Sequence, residues 1–428
     1  MKLFLDRWAI FVLSFGCMGL LFLMRPTTWL PTLVILLASI LLLIDSEFRC
    51  RFIGLFSRLG FGWIAWPFLI WLIVSLFVTT THAFNSNFYF PENELRVCLA
   101  LTILCFGVRQ NSKAAFVCGL VIGACAATIW GLYGMQVEHM RAQGTTNNPI
   151  HFGNLTAMGA LFCVSIGLLA NDLDIKFRML MFMSAILYSV ASITSLTRSS
   201  AVLVLCALPF FWLPQKDVFY KWALNTFAVV LMACAFLVAT SSSVQERLRI
   251  HQITAAINSS QNIDYERLTS DRANMWHAAV LIVQKHPWLG VGPIGFPSEF
   301  QALIEEGRVQ KTLVHNQPHN DILYAASTGG VVKLLAYISL ICGPFIYFYK
   351  QYKGRTLLAN RVYSVLGMQL VGAFFLTGLT NSNFDLQIYS TTYAVLICVL
   401  AKLSSLDDSA AINAAAPSKP LTPAAPSC

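Results

Sequence analysis

Long stretches of apolar residues, separated by short polar segments, run along almost the whole chain. An α-helix of about 20 apolar residues is long enough to cross the hydrocarbon core of a bilayer. The pattern therefore predicts an all-α integral membrane protein with about twelve transmembrane helices. They are expected near residues 8–24, 29–44, 62–79, 95–108, 114–135, 155–171, 178–196, 200–214, 222–240, 331–349, 362–379 and 386–403.

The composition agrees with this interpretation. Hydrophobic residues make up 57% of the chain and charged residues 11%, whereas soluble domains carry about 25% charged residues. Most of the twelve cysteines lie in apolar spans, and no cysteine or histidine spacing is typical of zinc, so we expect no metal and no cofactor. The basic, apolar N-terminus lacks a small-residue cleavage pattern before Arg25 and Pro26, which favours a retained first span over a signal peptide.

One polar segment is much longer than the others. Residues 242–328 separate the ninth and tenth predicted spans, and loops of this length are rarely without structure. Ser270 and Asp271 can cap a helix that runs through Gln284. Pro297 and Ser298 are predicted to open a second helix, with Gln301 completing a capping box, after a turn-rich linker at 289–296. This loop is expected to form a small helical cap over the membrane body.

These patterns predict four regions. Residues 1–241 hold transmembrane helices 1–9, residues 242–330 the helical loop domain, and residues 331–403 transmembrane helices 10–12. The tail at 404–428 is rich in Ala, Ser and Pro and is expected to be disordered on the cytoplasmic side.

Lysine and arginine set the expected orientation. With the N-terminus in the cytoplasm, the inner segments hold 17 of the 29 basic residues, which fits the positive-inside rule. The net charge of +9 is therefore a topology signal, and nucleic acid is not an expected partner. The inner set is Lys2, Arg7, Arg49, Arg51, Arg58, Arg109, Lys113, Lys176, Arg178, Lys216, Lys221, Lys350, Lys353, Arg355, Arg361, Lys402 and Lys419.

All eight histidines fall on the predicted outer side, and His319 is the strongest candidate for chemistry. It follows Pro318 where a helix is expected to start. The positive end of a helix dipole disfavours imidazolium, and a neutral imidazole is what a general base needs near pH 7. His315 is a secondary candidate. The alternative for either is a solvated or structural loop histidine.

Three outer arginines are candidates for binding a phosphate, because arginine stays charged and binds phosphate through two parallel hydrogen bonds. Arg198 follows a Ser/Thr-rich stretch between two apolar spans, and a charge at that depth indicates a functional site; its alternative is an interfacial side chain that snorkels. Arg272 lies in the first predicted loop helix and could instead be a solvated helix face. Arg141 could be an ordinary loop charge.

The first outer loop has no carboxylate pair of the kind that holds a divalent metal on pyrophosphate. Arginines can replace such a metal electrostatically, so we expect a metal-free anion site.

These motifs resemble those of the O-antigen ligases in the O-antigen ligase and polymerase superfamily. The family has a His-Asn pair, nine variable residues and then Gly, which His319, Asn320 and Gly330 match. Lys333 departs from the small or aromatic residue usual three positions later. The Arg-x-x-x-Trp pattern followed by His-Pro-Trp-Leu-Gly-Val-Gly begins at Arg272 and includes Trp276. The resemblance extends over about 360 residues by topology.

The resemblance implies a GT-C-like glycosyltransferase in the bacterial inner membrane, with cytoplasmic termini and a periplasmic active site. The donor would be O-antigen polysaccharide on undecaprenyl pyrophosphate, and the acceptor the lipid A–core oligosaccharide. His319 would be the catalytic base, with Arg198, Arg272 and Arg141 on the pyrophosphate and His315 and Asn320 in secondary roles. The alternatives are an O-antigen polymerase, a transferase to protein hydroxyls, and a transporter of lipid-linked glycans, which near-absent mid-span charges count against.

Overall fold

The structure is a computed structural model. It describes residues 2–16, 29–57, 60–83, 89–109, 111–137, 141–169, 174–197, 199–200, 203, 271–310, 313–354 and 358–406. Within these ranges all regular elements are helical and none is a strand.

Thirteen α-helices are numbered here in chain order, for the described part of the chain only. They are α1 (Lys2–Gly16), α2 (Trp29–Ile44), α3 (Ser46–Ser57), α4 (Gly62–Ala83), α5 (Glu92–Leu99), α6 (Asn111–Gln136), α7 (Pro149–Leu169), α8 (Ile175–Thr194), α9 (Asp271–Lys285), α10 (Gly295–Glu305), α11 (Asp321–Gly354), α12 (Leu358–Gly378) and α13 (Gln387–Ser405). Short 3₁₀ helices occupy Ala100–Cys105, Gly144–Thr146 and Asn383–Asp385.

Six helices in the described ranges are long and apolar enough to cross a membrane: α4, α6, α7, α8, α11 and α13. Each overlaps a predicted span, although α11 begins ten residues before the span predicted at 331–349. A further pair, α2 and α3, passes only when its two helices are taken together, and they are bent by 106°. This is the architecture of a helical, multi-pass membrane protein.

The remaining predicted spans have mixed outcomes. Those at 200–214 and 222–240 lie almost wholly outside the described residues, as does the second half of 8–24. The span predicted at 95–108 is a short α-helix followed by a 3₁₀ helix. The span predicted at 362–379 corresponds to α12 (Leu358–Gly378). Neither is among the six helices. The total of twelve therefore stays a prediction.

The described basic residues of the predicted inner set lie at one end of the bundle, and His82 lies at the other. Lys350, near the end of α11, lies over the ring of Trp63 at the start of α4, whereas His82 at the end of α4 contacts Gly290. The two helices are therefore antiparallel. The Trp63 end also holds Arg51, Arg109, Lys113, Arg178, Lys353, Arg361 and Lys402, all from the predicted inner set. We call this the basic end, and the other the histidine end.

Helices α9 and α10 form a small unit with its own core at the histidine end. Their shared apolar cluster includes Met275, Ile282, Phe296 and Phe300. Lys285 closes the unit from outside with a 2.9 Å ion pair to Glu299. Both helices predicted in this segment are present in the structure.

The predicted capping box of the second loop helix is wrong. Helix α10 begins at Gly295, two residues before Pro297, and no side chain caps its first turn. The Gln301 amide instead donates to Glu305, one turn further along the same helix. The backbone turn at 289–294 starts the helix early, so Pro297 lies inside its first turn, where a missing N–H costs nothing.

Helix α11 reverses direction at Gly330. This glycine has φ 63° and ψ −161°, a combination open essentially only to glycine. Asp321 accepts a hydrogen bond from the Phe384 N–H at 3.2 Å, and the Tyr337 ring lies 5.9 Å from the Phe384 ring. Sixteen residues of straight helix would separate Asp321 from Tyr337 by about 24 Å. Residues 321–329, the rising arm, therefore fold back against the segment 331–354.

Candidate functional site

His319 lies before α11 and not in its first turn, which corrects the sequence-based expectation. The helix starts at Asp321. Asn320 is its N-cap: the Asn320 side-chain oxygen accepts the N–H of Leu323 at 3.1 Å. His319 itself has a left-handed backbone, φ 50°. Such a conformation costs about 1–3 kcal/mol, and it persists only where the surroundings impose it.

Three side chains surround the half-buried His319 imidazole. The His315 ring lies edge-on at 5.8 Å between centroids, Arg272 places its positive charge nearby, and Asn381 is hydrogen-bonded to the ring. Burial lowers the pKa of His319, Arg272 and His315 lower it further, and the hydrogen bond to Asn381 partly opposes them. The predicted neutral imidazole thus has burial as its main cause, with the Arg272 charge second.

Two sequence motifs meet beside this histidine. The indole N–H of Trp276 donates to the Pro318 carbonyl oxygen at 2.9 Å, one residue before His319. Arg272 lies one helical turn before Trp276 on α9, so both face the same neighbour. The structure therefore brings Arg272 and His319 together, as the site prediction required.

The glycines of both motifs allow α11 to reverse. The N–H groups of Val291 and Gly292 donate to the carbonyls of Ser327 and Thr328 at 3.0 and 2.9 Å. A Cβ on Gly330 would overlap the backbone of Trp288. The residues between the His319–Asn320 pair and Gly330 are thus those of the rising arm, 321–329.

The histidine site lies well inside the bundle. The Phe384 ring, next to Asp321, contacts Trp71 at 6.1 Å. The loop at Gly290 contacts His82, eleven residues further along α4. Eleven helical residues rise about 16 Å. Asp321 and Phe384, which lie at the level of Trp71, are therefore about 16 Å closer to the basic end than the loop at Gly290.

The other predicted anion-binding residues are only partly described. Arg198 lies outside the described residues. Arg141 is exposed and hydrogen-bonds the Ser195 carbonyl oxygen through Nε at 2.9 Å, and its Nη2 reaches the Leu196 carbonyl at 3.3 Å. Arg141 is thus attached to the segment that directly precedes Arg198.

Asn320 has a structural role in addition to capping. Its amide donates to the Leu379 carbonyl at 3.0 Å, so it joins the start of α11 to the end of α12. This contact holds the neighbouring His319 close to Asn381, two residues after Leu379.

Sequence reasoning missed several polar residues around the site. Asn381 and Asn383 come from the turn before α13, which has no spacing relationship to His319. Lys333 and Glu94 form a buried ion pair, 3.5 Å between Nζ and Oε1. Lys333, which departs from the family motif, therefore has its charge compensated by Glu94 on α5.

A charged residue inside an apolar run was the only available signal for that pair. Its partner could not be identified because α5 is remote in sequence. Among the described residues, no group of three or more His, Cys, Asp or Glu side chains is arranged to hold a metal ion.

The family model described as O-Antigen ligase matches residues 183–338. The resemblance to the O-antigen ligase and polymerase superfamily is confirmed. The matched segment contains Arg198, Arg272, His315 and His319, whereas Arg141 and Asn381 lie outside it. No curated protein matches the chain.

The family covers both O-antigen ligases and O-antigen polymerases. The matched segment is therefore similar to glycosyl-transfer enzymes of that family, whose substrates are lipid-linked polysaccharides.

Proposed function

We propose that the protein is an O-antigen ligase. It transfers a polysaccharide from undecaprenyl pyrophosphate to a sugar hydroxyl of the lipid A–core oligosaccharide. The observation that carries this proposal is the pairing of the half-buried His319, whose pKa is lowered, with the Arg272 cation beside the start of α11. A base beside an anion-binding group is what transfer from a pyrophosphate requires.

In the proposed step the acceptor oxygen attacks the anomeric carbon of the donor. A new C–O bond forms as the bond between that carbon and the pyrophosphate oxygen breaks, and direct attack inverts the anomeric configuration. The hydroxyl proton moves to a ring nitrogen of His319 and is later released to water. The leaving group departs as undecaprenyl pyrophosphate.

Arg272 has two effects in this proposal. Its charge lowers the pKa of His319, which favours the neutral imidazole that can accept a proton. When the donor is bound, the guanidinium pairs with the pyrophosphate and stabilises the charge that grows on the leaving oxygen. Arg198 and Arg141 are proposed to complete the pyrophosphate site, with His315 in a secondary role.

The orientation proposed is that of a bacterial inner-membrane protein with its histidine end in the periplasm. The basic end then faces the cytoplasm, as the positive-inside rule requires. Both substrates are lipids. A site about 16 Å from the loop at Gly290 toward the basic end suits lateral entry of lipids from the bilayer. The four proposed regions keep the boundaries 1–241, 242–330, 331–403 and 404–428.

Lipopolysaccharide banding of a deletion strain tests the proposed function. A ligase predicts a lost ladder together with accumulated lipid-linked polymer, restored by the wild-type gene and not by His319→Ala. A band with a single repeat unit would instead show a polymerase. Lipid-linked units retained in the cytoplasmic leaflet would show a transporter.

Metal independence is part of the proposal. Transfer by the purified protein is expected to survive EDTA, because arginines take the place of a divalent ion on the pyrophosphate. Activity that is lost with the chelator and restored by magnesium or manganese would contradict this mechanism.

A further inference from the structure

Two buried asparagines connect His319 to the backbone of α12. The Asn381 amide nitrogen donates to the Asn383 side-chain oxygen at 3.1 Å. The Asn383 amide nitrogen donates to the Phe374 carbonyl oxygen at 3.0 Å and to the Thr377 hydroxyl oxygen at 2.9 Å. Asn381 is 5% exposed and Asn383 is fully buried, so water does not compete for these bonds.

The Phe374 carbonyl sets the direction of this chain of hydrogen bonds. A backbone carbonyl can only accept, so the Asn383 amide nitrogen must face it. The Asn383 oxygen then faces Asn381 and accepts from its amide nitrogen. The hydrogen bond between Asn381 and the His319 imidazole raises the pKa of that ring. A hydrogen-bond acceptor has this effect because it favours the protonated form, so the Asn381 oxygen is the atom that faces His319.

An amide oxygen can only accept, so the imidazole nitrogen that meets Asn381 must carry a hydrogen. In a neutral imidazole the other ring nitrogen then holds the lone pair. We propose that Asn381, oriented by Asn383, fixes the tautomer and ring orientation of His319 so that its unprotonated nitrogen faces the reacting hydroxyl. Both asparagines are positioning residues, and the proposal rests on the proposed role of His319 as base.

The fold holds this pair rigidly in the turn between α12 and α13. The Phe384 N–H donates to Asp321 at 3.2 Å, and the Tyr324 hydroxyl donates to Asp385 at 2.6 Å. The Asn93 amide also donates to the Asp385 carbonyl at 2.7 Å. The turn is thus attached to the rising arm that His319 precedes, so Asn381 and His319 keep their separation.

Such an orienting group is needed because a free neutral imidazole exchanges between two tautomers. Only one of them presents a lone pair on a given side. A hydrogen-bond partner on one ring nitrogen selects the tautomer and raises the basicity of the other ring nitrogen, which faces the reacting hydroxyl.

The test compares pH–rate profiles of purified variants in lipid or detergent with a lipid-linked polysaccharide donor and a lipid A–core acceptor. Asn381→Leu removes the acceptor and is expected to lower the plateau rate by about 10- to 100-fold. Asn381→Asp keeps an acceptor and adds a negative charge, which raises the pKa of His319. The plateau should then stay within a few-fold of wild type while the acidic limb moves to higher pH.

Asn383→Leu removes the oxygen that accepts from the Asn381 amide, so it should behave like Asn381→Leu. Asn316→Leu, an exposed residue of the same loop, is the matched control and should leave the profile unchanged. Thermal unfolding of each variant checks that it is folded.

An unchanged plateau and limb in Asn381→Leu would overturn the proposal. If that variant does not fold, Asn381→Asp decides: a limb shifted to higher pH supports the proposal, and an unshifted limb refutes it. His319→Ala with wild-type rates would mean that the proposed function has failed at the base itself. An inactive His319→Ala with unaffected asparagine variants would refute only the positioning role.

Discussion

The indole nitrogen of Trp276 donates a 2.9 Å hydrogen bond to the carbonyl oxygen of Pro318, so the helix that carries Arg272 is attached directly to the residue before His319. Trp276→Phe keeps the apolar ring but loses this bond, whose net contribution is about 0.5–1.5 kcal/mol. Transfer should fall by roughly 2- to 12-fold. Trp288→Phe, at an exposed tryptophan of the neighbouring loop (71% exposed), is the control and should not change the rate.

His319→Ala is expected to abolish transfer while the protein still inserts and folds. A general base contributes about 10²–10⁴-fold, and donor binding should largely remain because the arginines are unchanged. His315→Ala should have a milder effect, since His315 contacts the ring of His319 edge-on and has only a secondary role in the proposed step. Wild-type rates in His319→Ala together with loss in His315→Ala would show that His315 is the base.

The pH dependence of transfer should report the charge of Arg272. Burial and Arg272 lower the pKa of His319, so its neutral, active form persists into acid below the ordinary value of about 6.5. Removing the cation in Arg272→Gln stabilises imidazolium and raises the pKa of His319. The acidic limb of the rate profile should move to higher pH, in addition to any loss of plateau rate from weaker pyrophosphate binding. A limb that moves to lower pH would contradict this assignment.

Gly330→Ala should destabilise the histidine end. The backbone at Gly330 excludes side chains, which alone costs about 1–3 kcal/mol, and the new methyl group would overlap the backbone of Trp288. Gly307→Ala separates these causes, because Gly307 also has a positive φ of 69° but nothing within 4 Å of its Cβ position. Thermal unfolding should show a clearly larger loss for Gly330→Ala. Equal losses would mean that the close approach of Trp288 is unimportant.

The buried ion pair of Lys333 and Glu94 should be sensitive to the loss of either partner. The side chains are 1% and 7% exposed, and removing one partner of a buried ion pair costs about 3–5 kcal/mol. Lys333→Met and Glu94→Gln should each lower the unfolding temperature strongly, whereas the double variant should recover most of the loss. Additive losses in the double variant would show that the two charges do not stabilise each other.

Local patterns were sufficient for much of this protein. Hydropathy depends only on neighbouring residues, so the apolar runs indicated helices such as α4, α7 and α13. The distribution of lysine and arginine separated the two ends for the same reason. The spacing of His319 and Gly330 identified the strongest site candidate, because a fixed arm length must be encoded in consecutive residues.

The tertiary structure alone decided how those pieces meet. Hydropathy carries no direction, so the run that includes Gly330 looked like a loop followed by one span, whereas α11 starts at Asp321 and reverses at the glycine. The partners of His319, at Arg272 and Asn381, are separated from it by tens of residues, and no local pattern encodes a contact across that distance. The partner of Lys333 is an acid on α5, and only the packing of α5 against the reversed helix brings the two charges together.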